Sequence, residues 1–483
     1  MSTLEDAPPA LARDDHSRLR RELDRFDTVF FLISAMVVVD TIGAIAIGGA
    51  QAFTWLFVLL VAFFVPSALA SAELGAAIPQ EGGAYVWVRM AFGRFAGALT
   101  SLFYWAGTPM WLGGSVTVLA IAVVERTFGA VGTIGAYAFG TAFIGAATLG
   151  AVIPLRYGKW VPTSGAIGQI VLLTFFSATV VAYGFQHGVH GLALPDMAPT
   201  FPVFIAVVPV LLYSFVGIEL PSAAAEEMVN PRRDIPVAIA RAGACQALMY
   251  AVPILAVLVV LPADRISSLH GLIDAMQTVF SVYGGAAGLV SGLSAALFVW
   301  VLLASGSAWI IGAGRAQAAA CLDGAGPPAL GRIAANGVPV IIGLASGGLS
   351  LVTMSANLAV TGGAGQRYFS AALTVSIAMI VLAYLFVFPA FVALRIRRPE
   401  LERPFRVAGG LGVAWLVSIV ATGWSLLVTL CLLWPGFGTA DPNAVLPAGF
   451  EGQRLQFELL VLTPVALVAV LACVFYRLGG RAR

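Results

Sequence analysis

Apolar residues fill blocks of about twenty positions through nearly the whole chain, broken by short polar, glycine- or proline-rich corners. A helix needs roughly 20 apolar residues to cross a bilayer. Segments of that kind lie near 29–49, 53–78, 93–124, 133–153, 161–184, 203–225, 241–262, 286–313, 338–358, 368–394, 411–434 and 456–476. The pattern predicts an all-α integral membrane protein of about twelve transmembrane helices. Residues 1–27 are polar with no apolar core, so they read as a retained tail and not as a cleavable signal peptide. Two connections, about 186–202 and 263–285, are long enough for short helices. The second carries Leu272-Ile273-Asp274-Ala275-Met276 at the extracellular mouth, and both are expected as either connectors or gates.

Two of the apolar blocks are interrupted. The sixth reads VLLYSFVGIELPSAAAEE and places Glu219 between Gly217 and Pro221. The first reads ISAMVVVDTIGAIAIGGAQAF, with Asp40 at mid-depth before Gly43. An aspartate at a helix centre costs roughly 2.5–3.5 kcal/mol on insertion scales. Acids in spans therefore face a protein interior or a cavity and mark functional sites. A glycine or proline beside each acid predicts a broken helix, tolerated only where protein or a cavity receives the freed backbone groups. The two breaks stand five helices apart, as an inverted 5+5 repeat with its site at the repeat interface requires. Either acid alone also fits a simple helix-to-helix hydrogen bond.

Composition agrees with this class: 60% of residues are hydrophobic and 10% charged, against about 25% charged in soluble domains, and mean hydropathy is +0.94. A net charge of +2 gives no case for nucleic acid. With both termini inside, 22 of the 26 basic residues fall on the cytoplasmic side, leaving Arg126, Arg265, Arg367 and Arg454 outside. That asymmetry orients the chain in a plasma membrane with both termini cytoplasmic. The four cysteines and four histidines have no metal or redox spacing, so neither metal nor cofactor is expected. The glycine pairs at 82–83, 284–285 and 362–363 follow no strand, and no nucleophile triad is present, so an enzyme is not expected.

The stretch Phe215-Val216-Gly217-Ile218-Glu219 through Ala224-Ala225-Glu226-Glu227 and Asn230-Pro231-Arg232-Arg233-Asp234-Ile235-Pro236 resembles the amino acid–polyamine–organocation permeases. So do Ala72-Glu73-Leu74 with Pro79-Gln80-Glu81-Gly82-Gly83-Ala84-Tyr85, and Arg315 with Cys321-Leu322-Asp323-Gly324 after the eighth span, as well as Arg403-Pro404-Phe405-Arg406. The resemblance implies a LeuT-like fold with broken first and sixth helices. It divides the chain into a tail (1–27), a ten-helix transport core (28–400), two peripheral helices (401–476) and a second tail (477–483). It also implies that the first helix break binds a substrate carboxylate through free N–H groups, that Tyr213 is an aromatic gate, and that Glu219 is linked to protonation.

Two departures bear on the substrate and its coupling. Where the family has a glycine-rich break, this chain reads Val37-Val38-Val39-Asp40-Thr41. Valine crowds the approach to backbone N–H, and an aspartate repels a carboxylate but attracts an ammonium group. That favours polyamines and basic or decarboxylated amino acids, while leaving open that Asp40 receives an ordinary α-amino group or is protonated. Some proton-coupled relatives carry a lysine in the fifth helix; here the matching place is Gln169, and Lys159 lies nearer the cytoplasmic end.

The expected substrate residues are therefore Val37, Val38, Asp40, Thr41, Tyr104, Trp105, Tyr213, Gly217 and Glu219. Asp40, Glu219, Gln169, Ser305 and Ser307 are the candidates for a coupling proton or sodium ion. Trp309 and Tyr384 are weaker candidates, and Arg395–Arg406 reads most simply as a topology determinant, with contact to anionic lipid as the alternative. The expected function is secondary active transport of an amino acid or organic amine by alternating access, proton-coupled or exchanging. The rival is a transporter-like sensor that binds without flux.

Overall fold

A computed structural model describes residues 23–481, apart from 362–364, 437, 440, 442, 444, 445 and 448. Most of the 1–27 tail, the Gly362-Gly363 pair and residues 482–483 lie outside the described residues. The helices are α1 (Arg25–Met36), α2 (Thr41–Ala46), α3 (Gln51–Ala77), α4 (Ala84–Phe92), α5 (Arg94–Phe128), α6 (Gly132–Val152), α7 (Trp160–His187) and α8 (Phe201–Tyr213). They continue with α9 (Pro231–Val260), α10 (Gly271–Phe280), α11 (Ala287–Leu322), α12 (Val340–Thr361), α13 (Gly365–Arg397), α14 (Gly410–Leu433) and α15 (Arg454–Arg481). No strand occurs among the described residues.

Helices overlie every apolar segment marked from the sequence, and among the described residues nine are long and apolar enough to cross a membrane. The first and sixth segments fall short of that length because each is split, α1 from α2 and α8 from a 3₁₀ segment, Leu220–Glu227. Burial sorts centre from rim. The most apolar stretch of α5 is 89% buried and that of α13 72%, whereas that of α15 is 17% buried. The rim helices α3, α6, α14 and α15 present Val61, Leu149, Leu416 and Leu467 outward, as a lipid-facing surface requires.

Two boundaries differ from the sequence reading. Helix α9 begins ten residues earlier than 241, because Asn230 sits at its N-cap and Pro231 opens its first turn, where a missing N–H costs nothing. Asp234 in that first turn accepts from Arg25 at 2.7 Å, joining the starts of α1 and α9. Helix α11 runs on to Leu322, so Arg315 lies within the helix and not after the span. Its charge is buried and compensated by protein carboxylates, described below.

The two long connections behave differently. Residues 186–202 form one 3₁₀ turn, Leu194–Met197, tied to α3 where Thr54 donates to the Met197 carbonyl at 2.7 Å. The second connection folds down onto the site region: a Cβ on Gly43 of α2 would stand 2.8 Å from the Ser268 carbonyl oxygen. Only glycine permits that approach. Helix α10 is pinned by Arg126 to Asp274 at 2.9 Å and by Gln277 to the Arg126 carbonyl at 2.9 Å.

Burial holds the half-buried His270 imidazole below its ordinary value; Asp274 and Glu125 oppose this and Arg126 adds to it. Docking therefore favours neutral imidazole. It is complete above the ordinary histidine value near 6.5 and weakens as pH falls from there toward the lowered value. Hydrogen exchange across 266–280, corrected for intrinsic rate, is expected to rise between neutral and mildly acid pH, and His270→Gln is expected to flatten that response.

Candidate functional site

Helix α1 ends when Val37 leaves the helical region (φ −83°, ψ 85°), and α2 resumes at Thr41. The break frees a row of carbonyls in the protein interior, and side chains from other helices receive them. Ser305 Oγ donates to the Ser34 carbonyl at 2.7 Å, and Trp309 Nε1 to that of Ala35 at 2.9 Å. Gln246 Nε2 donates to the Met36 carbonyl at 3.3 Å and Gln169 Nε2 to that of Val37 at 2.8 Å. The Val38 carbonyl accepts from Thr41 Oγ1 at 2.8 Å and from the Tyr250 hydroxyl at 3.1 Å. Gln169 also reaches Ser305 Oγ at 3.0 Å and the Ser34 carbonyl at 3.4 Å. Each carbonyl from Ser34 to Val38 thus has a protein donor, as backbone at membrane depth requires.

The second break turns on Gly217, whose φ of +97° is strained for any residue with a side chain. Its N–H donates to the Tyr384 hydroxyl at 3.1 Å, and that hydroxyl lies 2.9 Å from both Glu219 oxygens. Ser214 Oγ donates to Thr41 Oγ1 at 3.2 Å across the two breaks. Gln246 Nε2 also binds the Ser214 carbonyl, so one amide holds both.

Asp40 and Glu219 are each 2% exposed. Trp111 Nε1 donates to Asp40 Oδ2 at 2.9 Å, whereas Oδ1 is buried without a hydrogen-bond partner. Trp111 occupies this place where α5 widens into a π-helical stretch, Leu112–Val116, just after Pro109; such bulges often sit at functional sites. From Trp111 a row of rings leads to the other acid. The Trp111 and Trp309 centroids are 6.1 Å apart and those of Trp309 and Tyr104 5.9 Å, and the Tyr104 hydroxyl, buried without a hydrogen-bond partner, is within electrostatic reach of Glu219. Tyr213 of α8 lies within electrostatic reach of Asp40. Neither acid has an ion pair among the described residues, so this buried aromatic row carries a carboxylate at each end with no protein cation to match it. No group of three or more potential metal ligands occurs among the described residues.

The breaks bring together Val37, Val38, Asp40, Thr41, Tyr104, Tyr213, Gly217, Glu219, Gln169 and Ser305. Trp105 is not among them: its buried indole points to α12, where it donates to Ser346 at 2.8 Å. Ser307 lies against Gly150 of α6, on the far side of α11 from the first break. Lys159 pairs with Asp27 at 2.6 Å, clear of the site. Trp309 and Tyr384, ranked low from sequence, stand at its centre. Trp111, Gln246 and Tyr250 escaped notice. The legible signals were an amide inside an apolar span and a tryptophan between Pro109 and the Gly113-Gly114 pair.

Toward the arginine-rich face the site is closed by ion pairs. Arg315, 2% exposed at its side chain, lies 2.8 Å from Glu227 through Nε and 3.4 Å from Glu81. Glu226 accepts from the Glu81 N–H at 3.3 Å, and the Leu23 N–H donates to the Glu227 carbonyl at 3.0 Å. Two carboxylates thus flank one guanidinium, with Glu226 beside Glu81, and Glu81 Oε2 is buried without a partner. Burial pushes the Glu81 carboxyl well above the usual range; Glu227 adds to this, Arg315 opposes it, and Glu226 adds again. Beside this cluster, Asp323 joins Arg89 at 2.8 Å and the Tyr85 hydroxyl at 2.5 Å.

Comparison with known proteins agrees with this architecture. The chain is 28% identical over 400 residues to a protein described as a probable agmatine/putrescine antiporter of Lactococcus lactis, covering 82% of this chain and 84% of that one. An uncharacterized transporter of Legionella pneumophila is likewise 28% identical over 400 residues, 81% of this chain and 85% of that one. A glutamate/gamma-aminobutyrate antiporter of Lactococcus lactis is 22% identical over 484 residues, 94% and 90% of the two chains.

Among solved structures, MhsT in complex with L-phenylalanine superposes with a TM-score of 0.60 at 13% identity, covering 86% of this chain and 99% of that one. A manganese transporter of Eremococcus coleocola gives 0.59 at 12% identity, covering 98% of each. These likenesses establish the LeuT-type fold. The chain is a multi-pass secondary transporter and not an enzyme, and it belongs to the amino acid permease family, which matches residues 23–447.

Proposed function

We infer that this transporter carries an organic amine with two cationic ends, a diamine or an aminoguanidine, in exchange for a second amine or with a proton. The observation that carries this reading is the pair of buried carboxylates at the two ends of one aromatic row. A buried unpaired charge is strongly unfavourable, so each acid calls for a cation or a proton. Rings flanking an alkylammonium contribute roughly 0.5–2 kcal/mol each. The relative described as a probable agmatine/putrescine antiporter supports the same chemistry. The glutamate/gamma-aminobutyrate antiporter also matches, but Asp40 stands where a substrate carboxylate would be expected to rest and disfavours an acidic ligand.

In this reading Asp40 with Trp111 receives one cationic end, and Glu219 with Tyr384 and Tyr104 the other. Tyr213, Gly217 and Thr41 line the middle, and Trp105 and Ser307 take no part. The arginine-rich face is cytoplasmic, both termini lie there, and the protein resides in the plasma membrane. Alternating access rocks the helices around the two breaks of a ten-helix core, with α14 and α15 peripheral.

Gln169 and Ser305 act as fixed donors that fill the space a sodium ion would need, so exchange is expected to be sodium-independent. Gln169→Ala, by stripping the Val37 carbonyl of its donor, is expected to cost about 1–2 kcal/mol. It should lower the melting temperature in detergent and slow exchange, with added sodium restoring neither.

The function is tested in proteoliposomes preloaded with unlabelled amine, by uptake of labelled putrescine, agmatine and neutral amino acids under pH or sodium gradients. The expected result is exchange of dicationic amines ahead of neutral amino acids. Preference for neutral amino acids overturns the substrate class, and saturable binding with no flux establishes the sensor.

A further inference from the structure

Between α13 and α14 the chain folds residues 398–409 into a compact corner at the arginine-rich face. Its anchor is Glu73 of α3, 1% exposed. Glu73 accepts from Arg395 Nε at 2.8 Å and from its Nη2, lies 3.2 Å from Arg403 Nε, and accepts from the Val407 N–H at 2.7 Å. Beside this anchor is a cavity of about 280 Å³ lined by Arg395, Pro399, Leu401, Arg403, Arg406 and Leu411. Three guanidinium groups border it, and one carboxylate answers them.

The nearby acids are committed to other arginines: Glu400 lies 3.8 Å from Arg398, and Glu402 2.5 Å from Arg232. Burial lowers the Arg403 guanidinium from its ordinary value; Glu73 and, less, Glu400 oppose this, while Arg395 and Arg406 push further down.

Donors remain as well as charge. An arginine offers five N–H groups. Arg395 uses four, on Glu73 and the carbonyls of Gly410 and Val407. Arg403 uses three, on the carbonyls of Leu401, Leu394 and Arg398, and its Nε stands in an ion pair with Glu73. Arg406 is exposed and makes no hydrogen bond or ion pair among the described residues. The surroundings are apolar on the outward side: Leu411 is 47% exposed, Ile396 50% and Trp415 46%. A polar, cationic hollow next to exposed apolar side chains at a helix end matches a lipid, with a phosphate at the hollow and acyl chains beside the helices.

We propose that this pocket binds the phosphate headgroup of an anionic phospholipid, held by Arg406 over the Arg395–Arg403–Glu73 anchor. Inorganic phosphate shares the phosphate chemistry but lacks the chains that would cover Leu411 and Trp415.

Delipidated protein in non-ionic detergent is titrated with phosphatidylglycerol or with phosphatidylcholine of the same chains and read by native mass spectrometry. Phosphatidylglycerol is expected to bind more tightly, and Arg406→Gln to weaken it about tenfold, the worth of one charge-assisted contact. Arg332→Gln, which removes another exposed arginine of the same face, is expected to change little, and an unshifted melting temperature of both variants without lipid checks their fold. Equal binding by wild type and Arg406→Gln, or an equal loss in Arg332→Gln, overturns the pocket in favour of diffuse charge. Full displacement of the lipid by excess inorganic phosphate overturns the lipid in favour of a soluble anion.

Discussion

Asp40→Asn is expected to lose at least about thirtyfold in apparent affinity for a dicationic amine, because truncating one partner of a buried charge pair costs roughly 2–5 kcal/mol. The substitution keeps the shape of the side chain and an oxygen for the Trp111 indole at 2.9 Å, so the fold is expected to survive. What disappears is the charge: Oδ1, buried and without a protein partner, is the atom left to meet an ammonium group. The loss should fall on amines and spare neutral solutes, which separates a binding role from a structural one. Trp111→Phe, which removes only the indole donor, is expected to weaken amine affinity less. Exchange in proteoliposomes across a series of amines measures both. Unchanged exchange and unchanged pH dependence in Asp40→Asn would remove that residue from the site.

Arg315→Met is expected to open the arginine-rich face. Removing one partner from a buried ion pair costs roughly 3–5 kcal/mol because the other charge is left uncompensated. Here Glu227 loses its guanidinium, 2.8 Å away. That penalty applies to the closed state alone, since water solvates the carboxylates once the seal parts. A 3–5 kcal/mol bias shifts the closed-to-open ratio by about two to four powers of ten. Thiol-reactive probes at a cysteine placed on the 3₁₀ segment Leu220–Glu227 are expected to react faster in the variant.

Glu81→Gln is expected to do the reverse. The raised carboxyl of Glu81 means the closed seal favours its protonated form, so closure is complete below the ordinary carboxylate range and weakens as pH rises through the raised value. A permanently neutral amide removes that dependence and holds the seal shut. Equal probe reactivity at all pH values in both wild type and Glu81→Gln would count against this account.

The membrane class, the helical segments and both breaks were legible because each depends on local pattern: run length, or an acid beside glycine in an apolar run. Asp40 and Glu219 stood out for the same reason, since a charged residue has few places to go in a span. The aromatic row was not legible. Trp111, Trp309 and Tyr384 look like packing residues until a partner is known, and their partners lie on other helices; Trp111 and Asp40 are 71 positions apart. Trp105, adjacent to Tyr104, shows the converse, because neighbours on a helix face different sides.

Arg315 was placed beyond its span because a lone charge usually ends an apolar segment. The structure keeps it inside the helix, paired with a glutamate 88 positions away. Gln169 marked a polar position, but nothing in its neighbours indicated that it receives the Val37 carbonyl.

The amide of Gln246, shared between the Met36 and Ser214 carbonyls, has a mechanical consequence. A hinge in each of two helices permits two independent motions, and independent motions let a carrier slip, releasing its ligand on one side without collecting a counter-ligand. One side chain bolted to both hinges removes that freedom, so the breaks turn as a single linkage. In the exchange proposed above, the ratio and not merely the rate then rests on a residue that need never touch the ligand.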